Sequence, residues 1–221
     1  MKTEEHLGFV RKVLGIVAAQ MALTFSFALL ASVNATAGAA FKSPAVLSLS
    51  MVGYISSMIY LICSDTARKR VPLNYILLGS VTFCMATMIA SFAANLTAAS
   101  VVTAIMGCCF STVGLFFAAI YTSSRAHMVR SLATGLTIAL IMDLIVLVIM
   151  LTTTAMHDKT MVAVISLVMC ATSGIFIIFD LLYIILPGVA DMDDYILAAL
   201  NLYLDIARLF YYLLLLLGDK K

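Results

Sequence analysis

The chain reads as a succession of long apolar runs parted by short polar breaks. A membrane-spanning helix needs about 20 mostly apolar residues. Seven runs meet that length, roughly 13–33, 45–63, 73–94, 99–121, 131–154, 161–186 and 195–217. Because the connections between them are short, the pattern predicts a single compact all-α transmembrane domain over 1–221, with no linker. The last run either spans fully or dips in and returns, giving seven spans or six plus a re-entrant C-terminal segment. No internal repeat or low-complexity tract stands out, apart from the leucines at 213–217.

Composition sharpens this picture. Hydrophobic residues make up 64% of the chain and charged residues 11%, with a mean hydropathy of +1.14. An ordinary soluble domain is nearer ~25% charged, and it could not hide this much apolar surface. The partner implied is membrane lipid. A net charge of +2, without clustered basic and aromatic residues, excludes nucleic acid as a partner. The first apolar run is too long for a signal-peptide core and reads as a signal-anchor helix. Cys63, Cys84, Cys108, Cys109 and Cys170 lie in or beside apolar runs and read as small buried hydrophobes. His6, His127 and His157 fall on three separate segments, so neither a metal cluster nor a cofactor is expected.

Basic residues in the short loops set an orientation. Lys2, Arg11, Lys12, Arg68, Lys69, Arg70, Arg125 and Arg130 fall on one side, against Lys42 and Lys159 on the other. The N-terminus is therefore expected in the cytoplasm. The loop before the last run, PGVADMDD, then faces the same side and is acidic. Asn34-Ala-Thr and Asn95-Leu-Thr match the glycosylation pattern on the opposite side, too close to helix ends to be favoured acceptors.

Three acids lie inside apolar runs: Asp143, Asp180 and Asp205. A charge at the bilayer centre costs at least ~2.5–3.5 kcal/mol, so such residues face the protein interior and mark function by default. The last two runs form a hairpin, which places Asp180 and Asp205 roughly 15 and 22 Å from its turn. A small axial offset brings them to one depth. Asn201, Asp205, Arg208 and Tyr212 recur at steps of four, three and four, on one side of the last helix. Thr172, Ser173, Asp180 and Tyr183 lie on or near a matching stripe. Two touching carboxyls would share one proton and repel when it leaves, which makes a pH-sensitive two-state element. The same pair is a hard-oxygen site suited to Ca²⁺ as a permeant or transiently bound ion.

Several of these segments resemble the transmembrane Bax inhibitor motif family. DDYILAALNLYLDIARLF is similar to its C-terminal signature, with NLYLDI the specific piece. IFIIFDLL, FVRKVLGIVAAQMALTFSF and VPLNYILL resemble its sixth-, first- and third-helix motifs. The short N-terminus resembles the Golgi anti-apoptotic branch, which includes viral members. The resemblance implies six helices around a central last one. It implies a pH-sensitive Ca²⁺ leak across a Golgi or endoplasmic reticulum membrane, suppression of cell death, and a di-aspartyl sensor at Asp180 and Asp205. It also implies a basic latch near the end of the second helix, at Arg68 or Arg70. The chain departs from the pattern at Met85, where the family often has Glu, and at SSRAHMVRS after the fourth helix. It departs again at Arg208, where Asn is usual, and at Asp143. The last two are read together: Arg208 is expected to pair with Asp143 or with the Asp180/Asp205 dyad. Such a pair costs far less than a lone charge, and it favours ionised Asp205, moving the gate to lower pH.

Two functions from different classes follow. One is the leak channel. The other is a non-conducting scaffold that inhibits cell death by binding regulators or other channels. Intramembrane proteolysis ranks last, because IIFD and YLDI lack the glycine motif of aspartyl enzymes. No enzymatic activity is expected.

Overall fold

The computed structural model of the chain describes residues 2–123, 136–141, 143–145, 159–186 and 194–221. Its elements are α1 (Lys2–Val33), α2 (Ala35–Phe41), α3 (Pro44–Cys63), α4 (Asp65–Lys69), α5 (Leu73–Ala93) and α6 (Ala98–Ser123). They continue with α7 (Leu136–Ile145), then α8 (Lys159–Ile185) and α9 (Tyr195–Leu217). Six of the helices are long and apolar enough to cross a membrane, among the described residues. The fifth predicted run, 131–154, lies mostly outside the described residues, with only the stretch around α7 in view.

Local signals set the breaks. Asn34 ends α1 and caps α2, its side chain accepting from the Thr36 and Ala37 amides. Pro44 opens α3 at a position where its missing N–H costs nothing. Ser64 caps α4 by accepting from the Ala67 amide. The short helices α2 and α4 were not anticipated from apolar runs, since neither is long enough to show a stripe. Helix α1 begins well before the first apolar run. Glu4 and Glu5 in its first turn suit the positive end of the helix dipole. Phe9, Val13, Val17 and Met21, spaced by four, bury one continuous stripe that carries the helix past residue 12.

Helix α9 is the centre of the bundle, packing against α1, α5, α6 and α8. Ala199, Tyr203, Ala207, Phe210 and Leu214 are fully buried along it. Three polar ties run through this interior. Gln20 Nε2 donates to Thr82 Oγ1 at 2.7 Å, joining α1 to α5. The Thr24 and Tyr203 hydroxyls lie 3.0 Å apart, joining α1 to α9. Ser57 Oγ donates to Ser80 Oγ at 3.0 Å, joining α3 to α5. By contrast Leu49 and Phe110 are 75% and 71% exposed on α3 and α6, as expected of helix faces that meet lipid rather than water. The cysteines are all free, Cys84 and Cys108 buried and Cys63 and Cys109 exposed.

The helix ends sort onto two faces. The first face holds the start of α1, the α3–α4–α5 corner, the end of α8 and the start of α9. There His6 Nε2 meets the Ile185 carbonyl at 2.9 Å, and Asn74 Nδ2 donates to the Tyr195 hydroxyl at 3.2 Å. The second face holds the α1–α2–α3 corner, the α5–α6 turn and the tail after α9. Helix α9 thus runs from one face to the other as a full span. Its tail then pairs with the α5–α6 turn. The Thr97 amide donates to the Asp219 carbonyl and the Lys221 amide to the Asn95 carbonyl, each at 3.0 Å. Lys221 Nζ also donates to the Ser32 and Ala94 carbonyls, at 2.7 and 3.3 Å.

Candidate functional site

Asp143 of α7, Asp180 of α8, and Asp205 and Arg208 of α9 meet in one cluster. Arg208 is at its hub. Its Nη1 donates to Asp143 Oδ2 at 2.9 Å, and its Nη2 lies 3.4 Å from Asp205 Oδ1, one turn away on α9. Its Nε donates to Ser173 Oγ at 3.1 Å, and the guanidinium stacks over the Phe176 ring at 4.5 Å. Three helices are thereby tied by one side chain. Of the ion-paired groups, the Arg208 side chain is 28% exposed, against 20% for Asp205 and 17% for Asp143. Asp180, on α8, comes within direct interaction range of the Asp205 carboxyl. Its Oδ2 is buried without a hydrogen-bond partner, as is Asp143 Oδ1. Two helices therefore bring the Asp180/Asp205 pair together, and a third brings Asp143 to Arg208.

A cavity of about 670 Å³ opens above this cluster. Its walls come from α3, α5 and α9: Tyr54, Met85, Ser91, Asn95, Tyr211 and Tyr212 are among them, and Asp205 and Arg208 form its foot. Asn95 lies exposed on the second face, so the cavity leads from that face into the bundle. Met85 stands on this wall as a neutral side chain where the resemblance led us to look for an acid. A second cavity, about 430 Å³ and lined by apolar residues of α1, α6, α8 and α9 such as Val17, Phe116 and Leu181, has no charged group in its walls among the described residues.

The predicted latch residues divide. Arg68 is drawn into the first face: its Nε lies 3.0 Å from Asp194 Oδ1, its Nη1 donates to the Leu61 and Ile62 carbonyls at 3.1 and 2.9 Å, and its Nη2 pairs with Asp65. It thus caps the C-terminal end of α3 and holds the start of α9. Arg70 is exposed at the end of α4. Neither reaches the dyad. Asp194 and Asp205 are eleven residues apart on one helix, roughly 16 Å along its axis. The polar stripes of α8 and α9 are also shorter than their sequence spacing implied, because Tyr183 on α8 and Asn201 on α9 are exposed.

Sequence reasoning missed Phe176, Tyr54 and Asp194 as partners. Phe176 follows Ser173 by one turn and so was legible on the α8 stripe. Tyr54 carried no signal, being one tyrosine in an apolar helix. Both glycosylation-pattern asparagines have engaged side chains: Asn34 caps α2, and Asn95 Oδ1 accepts from Lys42 Nζ at 3.3 Å. No group of three or more metal-binding side chains occurs among the described residues.

Against known families, the profile described as "Inhibitor of apoptosis-promoting Bax1" matches residues 6–221. The chain belongs to this family. Among curated proteins, the chain is similar to "Protein lifeguard 3" of Homo sapiens, 25% identical over 215 residues, which cover 96% of this chain and 68% of that protein. No solved structure matches it. Bax1-inhibitor membership joins the helical bundle described above to a family linked to apoptosis inhibition. The match runs through α9, so the Asp205 and Arg208 positions fall within it.

Proposed function

We propose that the chain is a proton-modulated calcium leak of an intracellular membrane, Golgi or endoplasmic reticulum, which lowers stored calcium and so suppresses apoptosis. The observation that carries this reading is the Asp180–Asp205 carboxyl pair, whose Asp205 member lines, together with Arg208, a cavity that reaches Asn95 on the second face. Two interacting carboxyls ionise together only at the cost of mutual repulsion, so proton loss pushes α8 and α9 apart. Arg11, Lys12, Arg68, Lys69 and Arg70 lie on the first face, and Lys42, Lys159 and the tail residues Lys220 and Lys221 on the second. In the segments that lead into and join the helices the excess is on the first face, which supports a cytoplasmic N-terminus. The cavity then opens to the store.

Purified protein in liposomes that enclose a calcium dye tests this directly. Leak is expected to rise with pH, and Asp180→Asn or Asp205→Asn is expected to flatten that dependence. A second reading, the non-conducting scaffold, is favoured by the packing below the dyad, where Leu200, Leu202 and Tyr203 are at most 1% exposed and offer no path. It wins if the pure protein is tight at every pH yet still protects cells.

A further inference from the structure

We propose that Arg208 is a tethered cation that closes the cavity foot against divalent ions, making it the residue that sets how readily this chain conducts. The inference deepens the leak reading and rests on it. Its basis is placement. The cavity reaches Asp205 and Arg208, and no other charged side chain among the described residues is in its walls. Asp180 comes from α8, which gives the walls no described residue, and Arg208 stands one turn nearer the second face than Asp205 on α9, so an ion entering from that face meets Arg208 before either acid. Of the three ion-paired groups the guanidinium is the most exposed. Its charge is permanent, because Arg does not deprotonate in proteins.

The guanidinium is also held in place. Asp143, Ser173 and the Phe176 ring grip it from two other helices, and Asp205 flanks it on its own helix. Each carboxylate oxygen that faces Arg208 is one that a passing cation would otherwise use. The side chain therefore acts twice, repelling an incoming divalent ion and occupying the oxygens that would replace its hydration shell. A bound metal is not part of this proposal; the resident cation is the protein's own.

The test compares the reconstituted wild-type chain with Arg208→Asn, Arg208→Lys and the double variant Arg208→Asn/Asp143→Asn, following calcium entry and calcein release together over one pH series. Calcium entry is expected to rise several-fold in Arg208→Asn, less in Arg208→Lys, which keeps the charge but loses the planar fork, and to bring no calcein release. The double variant removes both members of the closest ion pair, so it keeps the test open if Arg208→Asn alone fails to fold. It should also conduct faster than wild type. If wild type leaks and neither asparagine variant is faster, the plug is overturned and the leak reading survives. If every variant is tight at all pH values, both fall. A rise accompanied by calcein release overturns the plug, since it reports a damaged bundle.

Discussion

Arg208 has carboxylate partners on two elements, at 2.9 Å to Asp143 and 3.4 Å to Asp205, and their loss should not be equivalent. Removing one partner of a fully buried pair typically costs ~3–5 kcal/mol. With the guanidinium partly exposed, Asp143→Asn should cost roughly 2 kcal/mol by the same reasoning, read as a lower melting temperature in detergent. Arg208→Asn should cost a similar amount. The double variant should recover part of the loss, because neither charge is then stranded; strict additivity would show that the two side chains are not coupled. This pairing was legible in the sequence, since a charge inside an apolar run has few possible partners and each must find one. The Arg68–Asp194 contact was not legible. Both residues sit at polar breaks where several charges compete, and only the close approach of the α3–α4 corner to the start of α9 selects between them. The same corner explains why Arg68, rather than Arg70, is the anchored arginine.

At the level of elements, the apolar runs foretold the long helices and missed α2 and α4, which owe their form to caps and turns instead of stripes. Helix α2 matters for packing. A Cβ added at Gly38 would lie 2.8 Å from the Ala31 carbonyl oxygen and 3.3 Å from Ala94 Cβ. The backbone of α2 is thereby pressed onto the ends of α1 and α5. Gly38→Ala should destabilise the bundle by about 1–3 kcal/mol, as overpacking generally does. Gly15 on α1 has nothing within 4 Å of its added Cβ, and Gly15→Ala should be neutral or stabilising by up to ~1 kcal/mol. Parallel thermal melts of the two variants check the contrast. The depth match between Asp180 and Asp205 is another element-scale result. Rise per residue alone left them several ångströms apart, and the relative slide of α8 and α9 closes that gap in a way that no run of residues encodes.

For the molecule as a whole, the helix ends place residue 70 on one face and residue 42 on the other. Cysteines introduced at these positions, in a chain lacking its native thiols, should react with an impermeant maleimide from opposite sides of sealed vesicles. Labelling of both from one side would refute the crossing of α3 and with it the two-face arrangement. The bundle, its spans and its acid pair were within reach of pattern reading because lipid forces long apolar helices and punishes stray charge. The cavity was beyond it, since its walls come from α3, α5 and α9, whose mutual distance depends on side-chain volumes across the whole interior. One last feature bears on practice. Lys221 sits on the carbonyl ends of two helices, and its amide is stitched to Asn95 at the cavity rim. A fluorescent reporter or affinity handle joined there would begin inside the vestibule wall and strain that stitch, whereas one joined ahead of α1 would hang free of it.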